Sequence, residues 1–280
     1  NLIMKRVSVL LSALSALFFF SCTTNNVKID NSLEKYFTGN KATGCFALFD
    51  NGTGKITVYN RDRFFDSTYS PASTFKIVNS LIGLQTGVIS SDTMMIKWDG
   101  IVRPVEAWNK DLTMVEAFRV SAVPYYQEVA RRIGKEKMQM WLDSIGYAQK
   151  HGKYTLTGPV DSFWLNGTVK VTPDEQLGLV KLLYFDGLPF FRTYQESVKN
   201  AMLFEDNSNY QLSYKTGWTG WTGQEQRQIG WVLGWVVENK HPYFFVLNLE
   251  SSDPHFDMPA MRLKILKEIL KHLGFLEGKM

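Results

Sequence analysis

Cysteine and histidine are scarce in this chain of 280 residues, which holds two of the first and four of the second. The four histidines, His151, His241, His255 and His272, lack metal-ligand spacing, which argues against zinc-dependent hydrolysis. No Gly-x-Ser-x-Gly elbow accompanies them, so a serine–histidine–aspartate hydrolase has no support either. Long hydrophobic runs are missing: the uncharged stretch 7–20 is too short for a comfortable membrane span. A net charge of +4 without a basic cluster or stacking motif gives no reason to expect nucleic acid. There is no repeat and no low-complexity segment, and nothing points to a particular oligomeric state. What is present is ordinary globular composition with a surplus of aromatics, including eight tryptophans, which hints at an aromatic-lined groove.

The N-terminus reads as an export signal. Lys5 and Arg6 precede the uncharged run, and Ser21-Cys22 ends it, with Met4 as the apparent start. A cysteine after a small residue at that point resembles a bacterial lipoprotein cleavage site. Residues 1–21 are therefore expected to be removed, Cys22 to carry lipid and anchor the protein to a membrane on the periplasmic side, and 22–40 to act as a tether. Cys45 is then left without a partner, so no disulfide framework is expected.

From residue 41 to 280 the pattern predicts one catalytic domain. Gly44-Cys45-Phe46-Ala47-Leu48-Phe49-Asp50 and Lys55-Ile56-Thr57-Val58-Tyr59 read as a hairpin around Asn51-Gly52-Thr53-Gly54. A strongly apolar helix follows Pro71 and stops at Gly87. A capping box at Thr113-Met114-Val115-Glu116 and a cap, proline and acidic first turn at Thr172-Pro173-Asp174-Glu175 open two more helices. Helical patterns also cover 124–134, 135–145 and 193–203, and the loop 146–171 is long enough to suspect function. Strands are expected at 211–216, 227–237 and 243–250, then an amphipathic helix over 259–273. Hairpin, helices, three strands and a last helix imply an α+β fold: an antiparallel sheet flanked by helices, with a helical lobe inserted.

The chemistry centres on Ser73 and Lys76, three apart on one helix face among apolar neighbours. Serine needs a base to become a nucleophile, and a lysine kept neutral by desolvation is such a base. Further on, Ser121-Ala122-Val123 sits in a joint between helices, and Lys215-Thr216-Gly217 ends a strand before Trp218. Glycine there lets a ligand approach the strand closely.

In this order, Ser73-Thr74-Phe75-Lys76, Ser121-Ala122-Val123, Phe163-Trp164-Leu165 and Lys215-Thr216-Gly217 resemble the class D, oxacillin-hydrolysing, serine β-lactamases. The resemblance runs from about residue 44 to the C-terminal helix, where Arg262 matches the family's arginine. One departure is plain: Tyr147-Ala148-Gln149 stands where the family usually has Tyr-Gly-Asn. The resemblance implies the serine β-lactamase and penicillin-binding transpeptidase type of fold and small-molecule β-lactam substrates. It implies that Ser73 forms an acyl-enzyme and that Lys76, as a CO2-derived carbamate, is the general base, with no other cofactor and no metal. It implies that Ser121, helped by Lys215, passes a proton to the lactam nitrogen, that Thr216 and Arg262 hold the substrate carboxylate, and that the N–H groups of Ser73 and Trp218 form the oxyanion hole. Val123 and Trp164, with Phe75, are expected to keep Lys76 dry. A penicillin-acylated sensor domain and a penicillin-binding transpeptidase or carboxypeptidase are the alternatives on the same fold.

Overall fold

A computed structural model describes residues 26–220 and 226–278. The expected signal at 1–21 and Cys22 lie outside the described residues. In chain order the elements are β1 (Val27–Ile29), a 3-10 turn (Asn31–Leu33), α1 (Glu34–Thr38), β2 (Thr43–Asp50), β3 (Ile56–Tyr59) and α2 (Arg61–Asp66). A 3-10 turn (Ala72–Phe75) then leads into α3 (Lys76–Gln85), followed by β4 (Met95–Ile96), β5 (Leu112–Thr113), α4 (Met114–Arg119), α5 (Val123–Ile133) and α6 (Lys135–Ser144). After a long loop come α7 (Pro173–Tyr184), α8 (Arg192–Met202), β6 (Leu203–Asp206), β7 (Gln211–Trp218), β8 (Gln228–Glu238), β9 (His241–Ser251) and α9 (Met258–His272).

Seven strands form one sheet in the order β1-β3-β2-β9-β8-β7-β6. All pairs are antiparallel except β1 with β3, a parallel edge that the element pattern does not announce. Both faces of the sheet are covered. Along β2, Cys45 and Ala47 face one core and Phe46 and Leu48 the other; along β9, Phe244 and Val246 oppose Phe245 and Leu247. Period-two alternation therefore divides two apolar sets, and the strands read as nearly unbroken hydrophobic runs. The larger core joins the sheet to α3–α8, and the smaller lies under α1 and α9.

The expected tether needs correction. From Val27 onward it belongs to the fold: β1 pairs with β3, and Leu33 and Phe37 are fully buried in the smaller core. Three-residue strands and single-turn helices carry too little periodicity to stand out in sequence, and their stability comes from the surface they cover.

Candidate active site

Ser73 lies in the 3-10 turn and Lys76 opens α3. Lys76 Nζ donates to Ser73 Oγ at 2.7 Å. The lysine is fully buried, and loss of solvent lowers its ammonium to about 7, so a large share of it is neutral at physiological pH. The next turn of α3 anchors α5: Asn79 Nδ2 donates to Tyr126 O, and Ser80 Oγ lies 2.8 Å from Tyr126 Oη. The Tyr126 ring sits 5.5 Å from Lys76 Nζ.

The turn is held under strain. Ala72, just before the nucleophile, has φ of +48°, a left-handed conformation costing an L-residue roughly 1–2 kcal/mol. Its N–H donates to Trp164 O at 3.0 Å, and Ser70 Oγ donates to the same carbonyl at 2.8 Å. Trp164 is fully buried and stacks on Phe75 with ring centroids 5.1 Å apart. Its indole N–H has no hydrogen-bond partner among the described residues.

A second lysine–hydroxyl pair faces the first. Lys215 Nζ donates to Ser121 Oγ at 2.9 Å and to Thr216 O at 2.9 Å. Ser121 also has positive φ, +57°, at the end of α4, where Ala122 N–H donates to Ala117 O at 2.8 Å. Lys215 is buried too and lies well below the usual amine range, because of desolvation first and then repulsion from Lys76 and Arg262. Val123 begins α5 two residues past Ser121 and is half-buried.

Gly217 explains how strand and turn meet. A Cβ there would lie 3.1 Å from Pro71 O and 3.0 Å from Thr74 Cγ2, so the absent side chain lets β7 press against the nucleophile turn. Trp218 follows, exposed, with its indole N–H on Gln228 Oε1 at 2.7 Å. Arg262, on the first turns of α9, donates from Nη1 to Gly217 O at 2.6 Å, and its buried Nε has no partner among the described residues. Burial lowers the guanidinium to about 10. Arg262 thus brings a guanidinium that stays charged at neutral pH against β7, which favours an anionic ligand there.

The resemblance names these residues, and in the structure Ser73 meets Lys76 while Ser121 meets Lys215. It did not point to their supports: Gln176 Nε2 donates to Thr74 Oγ1 at 2.7 Å, and Trp231 Nε1 donates to Ser70 O at 2.9 Å. Both reach the turn from over 100 residues away, and no spacing marks them. Cys45 is free and buried, its thiol pushed up to about 12, so it is inert. In the departing segment, Tyr147 is buried against Phe75 at 5.5 Å, while Ala148 takes φ of +57°. At position 148 alanine bears left-handed strain that glycine would not.

The model of the penicillin-binding protein transpeptidase domain matches residues 44–273. Beta-lactamase OXA-5 of Pseudomonas aeruginosa is 33% identical over 270 residues, 96% of this chain and 98% of that protein. The class D β-lactamase FUS-1 of Fusobacterium nucleatum subsp. polymorphum superposes with a TM-score of 0.81 at 34% identity, covering 89% of this chain and 100% of that one. The C-terminal domain of the Bacillus licheniformis BlaR penicillin receptor superposes with a TM-score of 0.80 at 28% identity, covering 89% and 96%.

Proposed function

The chain belongs to the class D serine β-lactamases, and on that footing we propose that it hydrolyses β-lactams through an acyl-enzyme on Ser73. The observation that carries this reading is the 2.7 Å contact between Ser73 Oγ and a buried, largely neutral Lys76. As Ser73 Oγ attacks the lactam carbonyl carbon, its proton passes to the base at position 76. The C–N bond breaks, and Ser121 Oγ, held by Lys215 Nζ at 2.9 Å, relays the proton from the base at position 76 to the departing nitrogen, which leaves that base free again. The N–H groups of Ser73 and Trp218 receive the developing oxyanion, each worth roughly 3 kcal/mol. Thr216 and Arg262 hold the substrate carboxylate, the arginine through paired donors. Water activated by the same base then cleaves the ester and frees Ser73.

We further propose that Lys76 works as its carbamate, which would supply a carboxylate-like base. The residues fit this group: only a neutral amine takes up CO2, Lys76 is close to neutral, and the orphaned Trp164 N–H is a ready donor to an added oxygen. The expected outcome is steady turnover of a chromogenic cephalosporin that rises with added bicarbonate. Stoichiometric acylation without turnover would instead assign the chain a sensor role, the second reading that the receptor likeness favours. Turnover indifferent to bicarbonate would leave the amine itself as the base.

Export and lipid attachment at Cys22 complete the proposal. The intact mass of membrane-extracted protein should match a chain starting at Cys22 plus acyl groups. An unmodified soluble chain would refute the attachment.

A further inference from the structure

A cavity of about 270 Å3 lies between segment 96–112 and α5, and none of the Ser73 cleft residues described above lines it. Its aromatic walls are Trp98, Trp108 and the buried Tyr125. Both indole N–H groups are engaged elsewhere, Trp98 with Ile101 O at 3.0 Å and Trp108 with Val120 O at 2.9 Å. The two rings therefore offer the cavity carbon surface. Tyr125 adds a hydroxyl with no hydrogen-bond partner among the described residues.

The charges around this cavity do not cancel. Asp99 is neutralised by Arg103 at 2.6 Å, and Glu128 by Arg131 at 3.0 Å and Arg132 at 2.7 Å. Lys97 and Lys110 line the cavity, are exposed, and make no ion pair among the described residues. The surplus is positive.

The wall is also built rather than loose. Arg103 N–H donates to Asn109 Oδ1 at 2.8 Å while Asn109 Nδ2 returns a bond to Arg103 O at 2.9 Å. Trp98 N–H donates to Asp111 Oδ1 at 2.9 Å, and Arg103 grips both oxygens of Asp99. Such cross-bracing fixes a segment that has little regular structure, the arrangement expected where a loop must present a preformed surface.

We propose that this cavity is a second ligand site, separate from the cleft, for a small flat organic anion: an aromatic carboxylate. Its volume is at the lower end of small-molecule sites and suits one or two fused rings. The ring would lie against the indoles and the carboxylate between Lys97 and Lys110. Occupancy would be felt at the cleft through Trp108, whose bond to Val120 O sits beside Ser121.

Calorimetric titration with sodium 2-naphthoate tests the site, with neutral 2-naphthamide as the uncharged counterpart. The double variant Lys97→Gln/Lys110→Gln, which changes only exposed side chains, is expected to weaken naphthoate about ten-fold, a few-fold from each lysine. It should leave naphthamide unaffected, and added salt should weaken naphthoate on the wild type. The double variant Thr216→Ala/Arg262→Ala, which disables carboxylate binding in the cleft, should leave naphthoate affinity unchanged. Equal affinity for acid and amide, no binding at millimolar naphthoate, or a loss that follows Arg262 rather than the lysines overturns the proposal.

Discussion

Lys76 is costly to keep, and the cost has a sign that can be measured. Its ammonium falls from 10.5 to about 7 on folding because burial disfavours the charged form. Between those values the unfolded chain binds a proton that the folded chain does not, so stability rises with pH across that window. The penalty is fully present below about pH 7 and gone above about 10.5; at pH 8 it is on the order of 3 kcal/mol. In CO2-free buffer, Lys76→Met should therefore unfold in more urea than wild type at pH 7, with the gap narrowing toward pH 10. A gap independent of pH would mean that the lysine is not the titrating group. The same variant removes the base next to Ser73 Oγ and should lower acylation by at least about 1,000-fold, within the range of general-base losses. A residue that destabilises its fold while touching the nucleophile is what a stability–function trade-off predicts.

At the scale of elements, the site depends on how closely β7 meets the 3-10 turn. Gly217→Ala puts a methyl 3.1 Å from Pro71 O, and a backbone carbonyl cannot swing aside as a flexible side chain does. The strand must retreat by a few tenths of an ångström, taking Trp218 N–H and the Arg262 contact with it. kcat is expected to fall roughly ten- to hundred-fold because a weakened oxyanion donor matters most in the transition state. A variant with normal kcat and raised KM would show that Gly217 serves ground-state binding only. Legibility in the sequence follows the same division. Helices with their own end signals, such as those capped by Thr113 and Thr172, appear where the pattern puts them. Ser73 and Lys76 were readable because one helical turn brings them together. Edge strands β1 and β6 and the short helices α1 and α2 were not, since pairing and burial decide them rather than propensity. Ser121 and Lys215 meet across 94 residues, so only resemblance to a family could join them beforehand.

For the whole molecule, the decisive question is where the folded unit begins. Sequence composition put the boundary at residue 41, yet Leu33 and Phe37 are fully buried and β1 closes the sheet edge against β3. Each such side chain contributes about 1.5–3 kcal/mol when taken out of water, and deleting both also uncovers the smaller core shared with α9. That core seats α9 on the sheet through Ile265, Leu266 and Ile269, three, four and seven residues past Arg262 and so on the same helix face, and it thereby sets the position of Arg262. A chain starting at residue 26 should keep full stability and activity. One starting at residue 41 should lose about 3–6 kcal/mol in urea unfolding, within reach of the whole stability of a typical domain. The two effects separate by temperature. At low temperature, where the shortened chain remains folded, KM for a carboxylate-bearing β-lactam should still be raised, because Arg262 has lost the scaffold behind it. Unchanged stability in the shorter chain would return the boundary to residue 41 and reduce residues 27–38 to a passive wrapping of the sheet.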